Sequence, residues 1–196
     1  MFRHLTSQLR LIGIITLTLL FAYPAYAGNT DNVKPQLGKL LRDAINDADS
    51  FDDKFAAEVW LLDMNNRLKP YIKNDKERVT ILKRVHYEAT RAKLEPRLVL
   101  AVMEVESRFD RFAVSRSGAL GLMQIMPFWL KEIGRPNDNL FHINTNLRMG
   151  CTILKYYLDI ESGNLHRALG RYNGSLGKRK YPDKIFTALR KHWYRG

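Results

Sequence analysis

Residues 99–127, VLAVMEVESRFDRFAVSRSGALGLMQIMP, carry the side chains best suited to chemistry. Val99, Val102 and Glu106 fall at i, i+3 and i+7, so on a helix the Glu106 carboxylate lies along its own apolar stripe. A carboxyl group against an apolar wall loses hydration, its pKa rises, and near neutral pH it stays protonated and able to act as a general acid. The plainer alternative is a half-exposed Glu106 capped by Arg108 at the helix end. Glu104, two residues earlier, falls on the opposite side and reads as solvated. Asp110, one turn on, is the nearest second carboxylate and could as easily pair with a neighbouring Arg. Downstream, Gly118 and Gly121 surround small residues, and Gln124 is a lone amide among apolar neighbours. Glycines allow backbone to approach a ligand or another segment, and a buried amide needs a hydrogen-bond partner. A tight contact between helices, with Gln124 bonded to backbone, accounts for the same residues.

Helices must position this stretch, because apolar residues recur at helical spacing along most of the chain. Leu37, Leu40, Leu41, Ala44 and Ile45 form one stripe; Phe51, Phe55, Val59 and Leu62 form a second, with Ser50 as its cap and Pro70 as its stop. Val79, Leu82, Val85 and Ala89 follow Asn74 with Glu77 three residues on, a capping-box spacing. Pro96 suits the first turn of a helix running to Ser107. Further helices are predicted from about Asn146 to Ile160, Asn164 to Tyr172 and Pro182 to Trp193. No alternating run bounded by hairpin turns and no repeat of 20–50 residues is present, so the fold class is all-α. Asp47, Asp49 and Glu58 match positions of a calcium-binding loop, but Phe51 and Asp52 stand where a ligand and the turning Gly are required, which favours a helix cap there.

The chain opens with Arg3, His4 and Arg10, continues apolar from Leu11 to Phe21 and reaches Ala25-Tyr26-Ala27. That order is a signal peptide at 1–27. A retained anchor is the alternative, although the apolar run is shorter than the roughly 20 residues a span needs. Removing 1–27 takes two Arg and no acid from the formal charge of +12, which leaves +10 on the exported part. A basic exported protein is expected to meet cell-wall polymer or an anionic membrane surface, not nucleic acid. One cysteine, Cys151, rules out an intrachain disulfide and a Cys-rich zinc module.

Three ordered motifs then point to a family. Glu106-Ser107-x-Phe109, Ala113-Val114-Ser115, Gly118-Ala119 and Gly121-Leu122-Met123-Gln124-x-Met126-Pro127 resemble the signature of lytic transglycosylases with the soluble-lytic-transglycosylase (SLT), lysozyme-like domain. Asn146-Leu147-x-x-Gly150 with Tyr156, Tyr157 and Leu158 resembles a second motif of that family, and Arg171-Tyr172-Asn173 a third. The likeness covers about residues 77–193. It implies a goose-type lysozyme-like helical domain at 76–196; residues 28–75 match no motif of the family and are expected to form an N-terminal helical extension, as a cap on the domain or a partner-docking surface. Glu106 would be the sole catalytic acid/base, with Ser115, Gln124, Met126, Tyr172 and Asn173 lining the glycan groove and no cofactor or metal.

The implied reaction cleaves the β-1,4 bond between N-acetylmuramic acid and N-acetylglucosamine of peptidoglycan in the periplasm, without water, leaving a 1,6-anhydromuramoyl end. One carboxyl group suffices for it, since the attacking hydroxyl belongs to the substrate. A hydrolytic muramidase of the same fold and a non-catalytic wall-binding or assembly protein are the alternatives. Tyr172 and Asn173 would orient the N-acetyl group or stabilise the oxocarbenium-like state; a core Tyr and a helix C-cap Asn are their plainer readings. Two departures stand out. Gly174 follows Asn173 directly, and Lys178-Arg179-Lys180 precedes Tyr181-Pro182 where many members carry a Glu-Thr pair before Tyr-Val. Those cations could attract stem-peptide carboxylates or form a solvated run. Cys151 reads as a small buried hydrophobe.

Overall fold

Side-chain caps open four of the helices in the computed structural model, which describes residues 35–46 and 53–194. The expected signal segment at 1–27, Ser50, Phe51 and the start of the calcium-loop match lie outside the described residues. Helix α1 spans Pro35–Asn46 and α2 spans Lys54–Leu68. The cap of α2 is Asp53, not Ser50: its carboxylate accepts from the backbone N–H of Phe55 and Ala56, both at 3.1 Å. An acid there satisfies free amides and meets the positive helix end at once. The apolar face of α2 also differs from the expected stripe. Phe55 and Val59 are 73% and 53% exposed, while Ala57, Leu61, Met64 and Leu68 are buried. Both sets have helical spacing; the inward one carries Asn65, whose Oδ1 accepts from the buried Arg78 guanidinium at 3.0 Å.

Helix α3, Asp75–Arg91, begins as the spacing predicts, with Asn74 Oδ1 accepting from Glu77 N at 2.9 Å. Helix α4, Pro96–Ser107, has Pro at its first turn and Glu95 as cap, accepting from Leu98 N at 2.8 Å. Its middle, Val99 to Met103, is buried on every side, which makes α4 the central helix of the core. Truncation of such a side chain to Ala removes about 2–5 kcal/mol. A five-residue helix α5, Trp129–Ile133, is too short to show in the periodicity. Helix α6, Ile143–Ile160, starts three residues before the expected Asn146, and α7 spans Leu165–Tyr172 behind its Asn164 cap. Helix α8, Lys180–Ala188, runs into a π-helical turn, Leu189–Trp193.

Helix α1 packs on α2 and α3, α3 on α6, and α4 on α8 and the π turn, with α7 bridging α6 and α8. Buried Glu88 pairs with Arg84 at 2.7 Å and Arg91 at 2.5 Å, and Arg91 donates onward to Thr152 Oγ1 and the Arg148 carbonyl, tying α3 to α6. Among the described residues the β content is two isolated antiparallel bridges, Val114–Leu120 and Leu120–Ile125, so the all-α reading holds. Among the same residues no helix is long and apolar enough to cross a membrane.

Candidate active site

Glu106 sits in the last turn of α4, partly buried, and accepts one hydrogen bond, from the Tyr181 hydroxyl at 2.5 Å. Burial pushes its carboxyl up to about 7, and the Tyr181 bond pulls it partly back. No cation pairs with it among the described residues. Arg108 does not cap it; that residue takes a left-handed φ of 52° and lays its guanidinium 5.9 Å from the Tyr71 ring centroid. The desolvated-acid reading of Glu106 is therefore the one the fold supports. Tyr181 is 8% exposed and its phenol is held well above the ordinary range, first by burial and then by the Glu106 charge. It is absent from the residues singled out by sequence. Its signal was present, as the Tyr that follows the Lys178-Arg179-Lys180 departure.

Glu104 is not solvated. Its carboxylate accepts from Tyr71 Oη at 3.0 Å and Trp193 Nε1 at 2.8 Å, and meets His192 Nδ1 at 2.7 Å. The side of α4 that seemed to face water is covered by the π turn, and Glu104 anchors that turn. Phe109 completes the junction, buried between the rings of Tyr71 and Trp193 at 5.0 and 5.6 Å. Among the described residues Asp110 pairs with no Arg; it accepts from Phe112 N at 2.9 Å and shapes a turn.

The loop after α4 is held by the motif residues themselves. Ser107 Oγ donates to the Leu122 carbonyl at 2.8 Å, and buried Asn146 of α6 accepts from Met123 N at 2.8 Å while donating to the Leu120 and Leu140 carbonyls at 2.9 and 2.8 Å. Gly121 has φ +75°, and a Cβ there would overlap the Asn146 amide and the Leu140 carbonyl. A Cβ on Gly150 would overlap the Met123 side chain. These glycines serve close packing of segment on segment. Gln124, at φ 50°, donates to the carbonyls of Ala113 and Gly121 at 3.2 and 3.0 Å, which is the backbone-bonded arrangement considered from sequence. Ser115 Oγ accepts from Ala119 N at 2.9 Å and lies 3.3 Å from Ser117 Oγ.

A cleft of about 300 Å³ opens beside Glu106, lined also by Val105, Asn173, Ser175, Lys178, Lys180, Tyr181 and Lys184. Of the residues expected at the groove, Asn173 shares this cleft with Glu106; Ser115, Gln124, Met126 and Tyr172 are not among its lining. Asn173 is also the C-cap of α7. Tyr172 donates to the Met123 carbonyl at 2.8 Å, and its phenol is held well above the ordinary range by burial and then by the Glu106 charge. It thus ties α7 to the loop next to the acid. Cys151 is fully buried, which raises its thiol and leaves it as a small apolar filler. Among the described residues no three His, Cys, Asp or Glu are grouped to hold a metal ion.

Residues 84–191 match the family model described as the transglycosylase SLT domain. The chain is 35% identical over 119 residues to the membrane-bound lytic murein transglycosylase C of Yersinia pestis (strain Pestoides F), a match covering 53% of this chain and 33% of that one. The protein of the same name from Yersinia pseudotuberculosis (serotype O:1b, strain IP 31758) matches to the same extent. The chain spans about a third of the length of these curated relatives.

Proposed function

Because this chain belongs to the transglycosylase SLT family, we propose that it is an exported peptidoglycan lytic transglycosylase that cleaves the N-acetylmuramic acid–β-1,4–N-acetylglucosamine bond and leaves 1,6-anhydromuramoyl ends. The observation that carries this reading is a cleft lined by one carboxyl group, Glu106, with no second acid among the described residues that line it. Hydrolysis by paired carboxylates needs an acid and a separate base or nucleophile at a set distance. An internal nucleophile needs only one group that gives a proton and then takes one.

Glu106, held near neutral pKa by burial, protonates the glycosidic oxygen as the bond to the anomeric carbon breaks. The resulting carboxylate removes the proton from the muramoyl 6-hydroxyl, whose oxygen closes on the anomeric carbon. Glu106 ends protonated, as it began, and no water is consumed. Tyr181 steadies the carboxylate between the two proton transfers through its 2.5 Å hydrogen bond. Asn173 contacts the sugar from the cleft wall, and Ser115, Gln124 and Tyr172, each hydrogen-bonded to backbone of the loop after α4, hold that loop in shape. The test is to digest purified peptidoglycan with the protein and weigh the released muropeptides. Products lighter by one water than hydrolytic fragments are expected; reducing-end fragments would refute the proposal.

A further inference from the structure

Lys178, Lys180 and Lys184 line the same cleft as Glu106, and all three are exposed. None forms an ion pair with a carboxylate among the described residues, although acids elsewhere capture their nearest cations: Asp63 holds Arg67, Glu161 holds Arg167 and Arg171, and Asp159 holds Lys155. The acid closest in sequence, Asp183, faces Arg179 at 3.8 Å and His166 at 4.0 Å instead. Three unpartnered cations at a cleft attract an anion into it. None of the three is hydrogen-bonded or ion-paired to Glu106, whose one hydrogen bond comes from Tyr181.

We propose that Lys178, Lys180 and Lys184 form an anion subsite that holds a carboxylate carried on the muramoyl side of the glycan, so that the cleft selects acidic strands over neutral ones. This rests on the reading of the chain as a peptidoglycan-cleaving enzyme. A carboxylate there has two sources: the stem peptide, or the lactyl group uncovered when the stem is removed. Lysines are flexible point charges without a fixed donor fork, which suits an anion whose position varies along a peptide.

The experiment uses the full chain with Glu106→Gln and measures binding to three soluble glycans of equal sugar length. One carries stem peptides, one has them removed to leave lactyl carboxylates, and one is a chitooligosaccharide without carboxylates. At low salt the stem-bearing glycan binds about tenfold tighter than the chitooligosaccharide, and the advantage shrinks as salt screens the charges. It disappears when all three lysines are changed to Gln and returns when they are changed to Arg. A lactyl glycan that binds as tightly as the stem-bearing one assigns the lactyl group; one as weak as the chitooligosaccharide assigns the stem. The proposal is overturned if the Gln variant still discriminates, if it weakens all three ligands equally, or if Lys54, Lys69 and Lys93 changed to Gln remove the discrimination as well. Discrimination without anhydro product from the unaltered enzyme would retain the subsite and refute the proposed reaction, so the two failures are distinct.

Discussion

Glu104 and Glu106 stand two residues apart on α4 and have opposite surroundings. Three polar groups from Tyr71, His192 and Trp193 converge on Glu104, which holds the C-terminal turn. Glu106 has one donor among the described residues, Tyr181, and burial raises its pKa to about 7. Placement on one helix end does not fix what a carboxylate does. The number of groups that stabilise its charge decides whether it anchors or trades a proton.

The largest expected effect comes from Glu106→Gln, which keeps the shape but can neither give nor take the proton. Muropeptide release should fall by about 10²–10⁴-fold, while the fold and sacculus binding persist. Release within about threefold of the unaltered enzyme would end the contrast between the two acids. Glu104→Ala should act on stability instead: Trp193 Nε1 and Tyr71 Oη lose their acceptor, and chemical unfolding should show a loss of about 3 kcal/mol. An unfolding midpoint unchanged by that substitution would mean the π turn is held by packing alone.

A smaller effect follows from linkage. The folded state raises the Glu106 pKa from its ordinary 4.5 to about 7, so the fold binds that proton more tightly than the unfolded chain does. The associated stability is fully present below pH 4.5 and is lost as pH rises through about 7. Glu106→Gln should therefore unfold at the same denaturant concentration as the parent at low pH and gain up to about 3 kcal/mol over it above pH 7. A gain that is constant with pH would contradict the raised pKa. The smallest effect is that of Tyr181→Phe. The Tyr181 bond lowers the Glu106 pKa, so its loss should move the alkaline limb of the pH–rate profile upward, by about one unit or less. A downward shift would show that Tyr181 does not stabilise the carboxylate.

Legibility in the sequence followed the range of the interaction. The Asn74 cap of α3 and the Pro96 start of α4 obey rules spanning three or four residues, and both form as predicted. The face of α2 was ambiguous because two sets of residues share helical spacing, and the partner that chose between them, Arg78, lies in the next helix. Glu104 looked solvated because its partners His192 and Trp193 come from the far end of the chain. Tyr181 was hidden for the same reason, 75 residues from Glu106. Ser107, Gly121, Asn146 and Gly150 were conspicuous as motif residues, but their work, fastening the loop beside the acid, is visible only once α4 and α6 are brought together.

The central claim is that Glu106 delivers a hydroxyl of the substrate, not water, to the anomeric carbon. Digestion of peptidoglycan in water enriched in heavy oxygen tests it directly. Anhydromuramoyl fragments that carry no heavy oxygen at the cleaved end are expected. Fragments with a reducing end that has taken up the label would contradict it and make the protein a hydrolase.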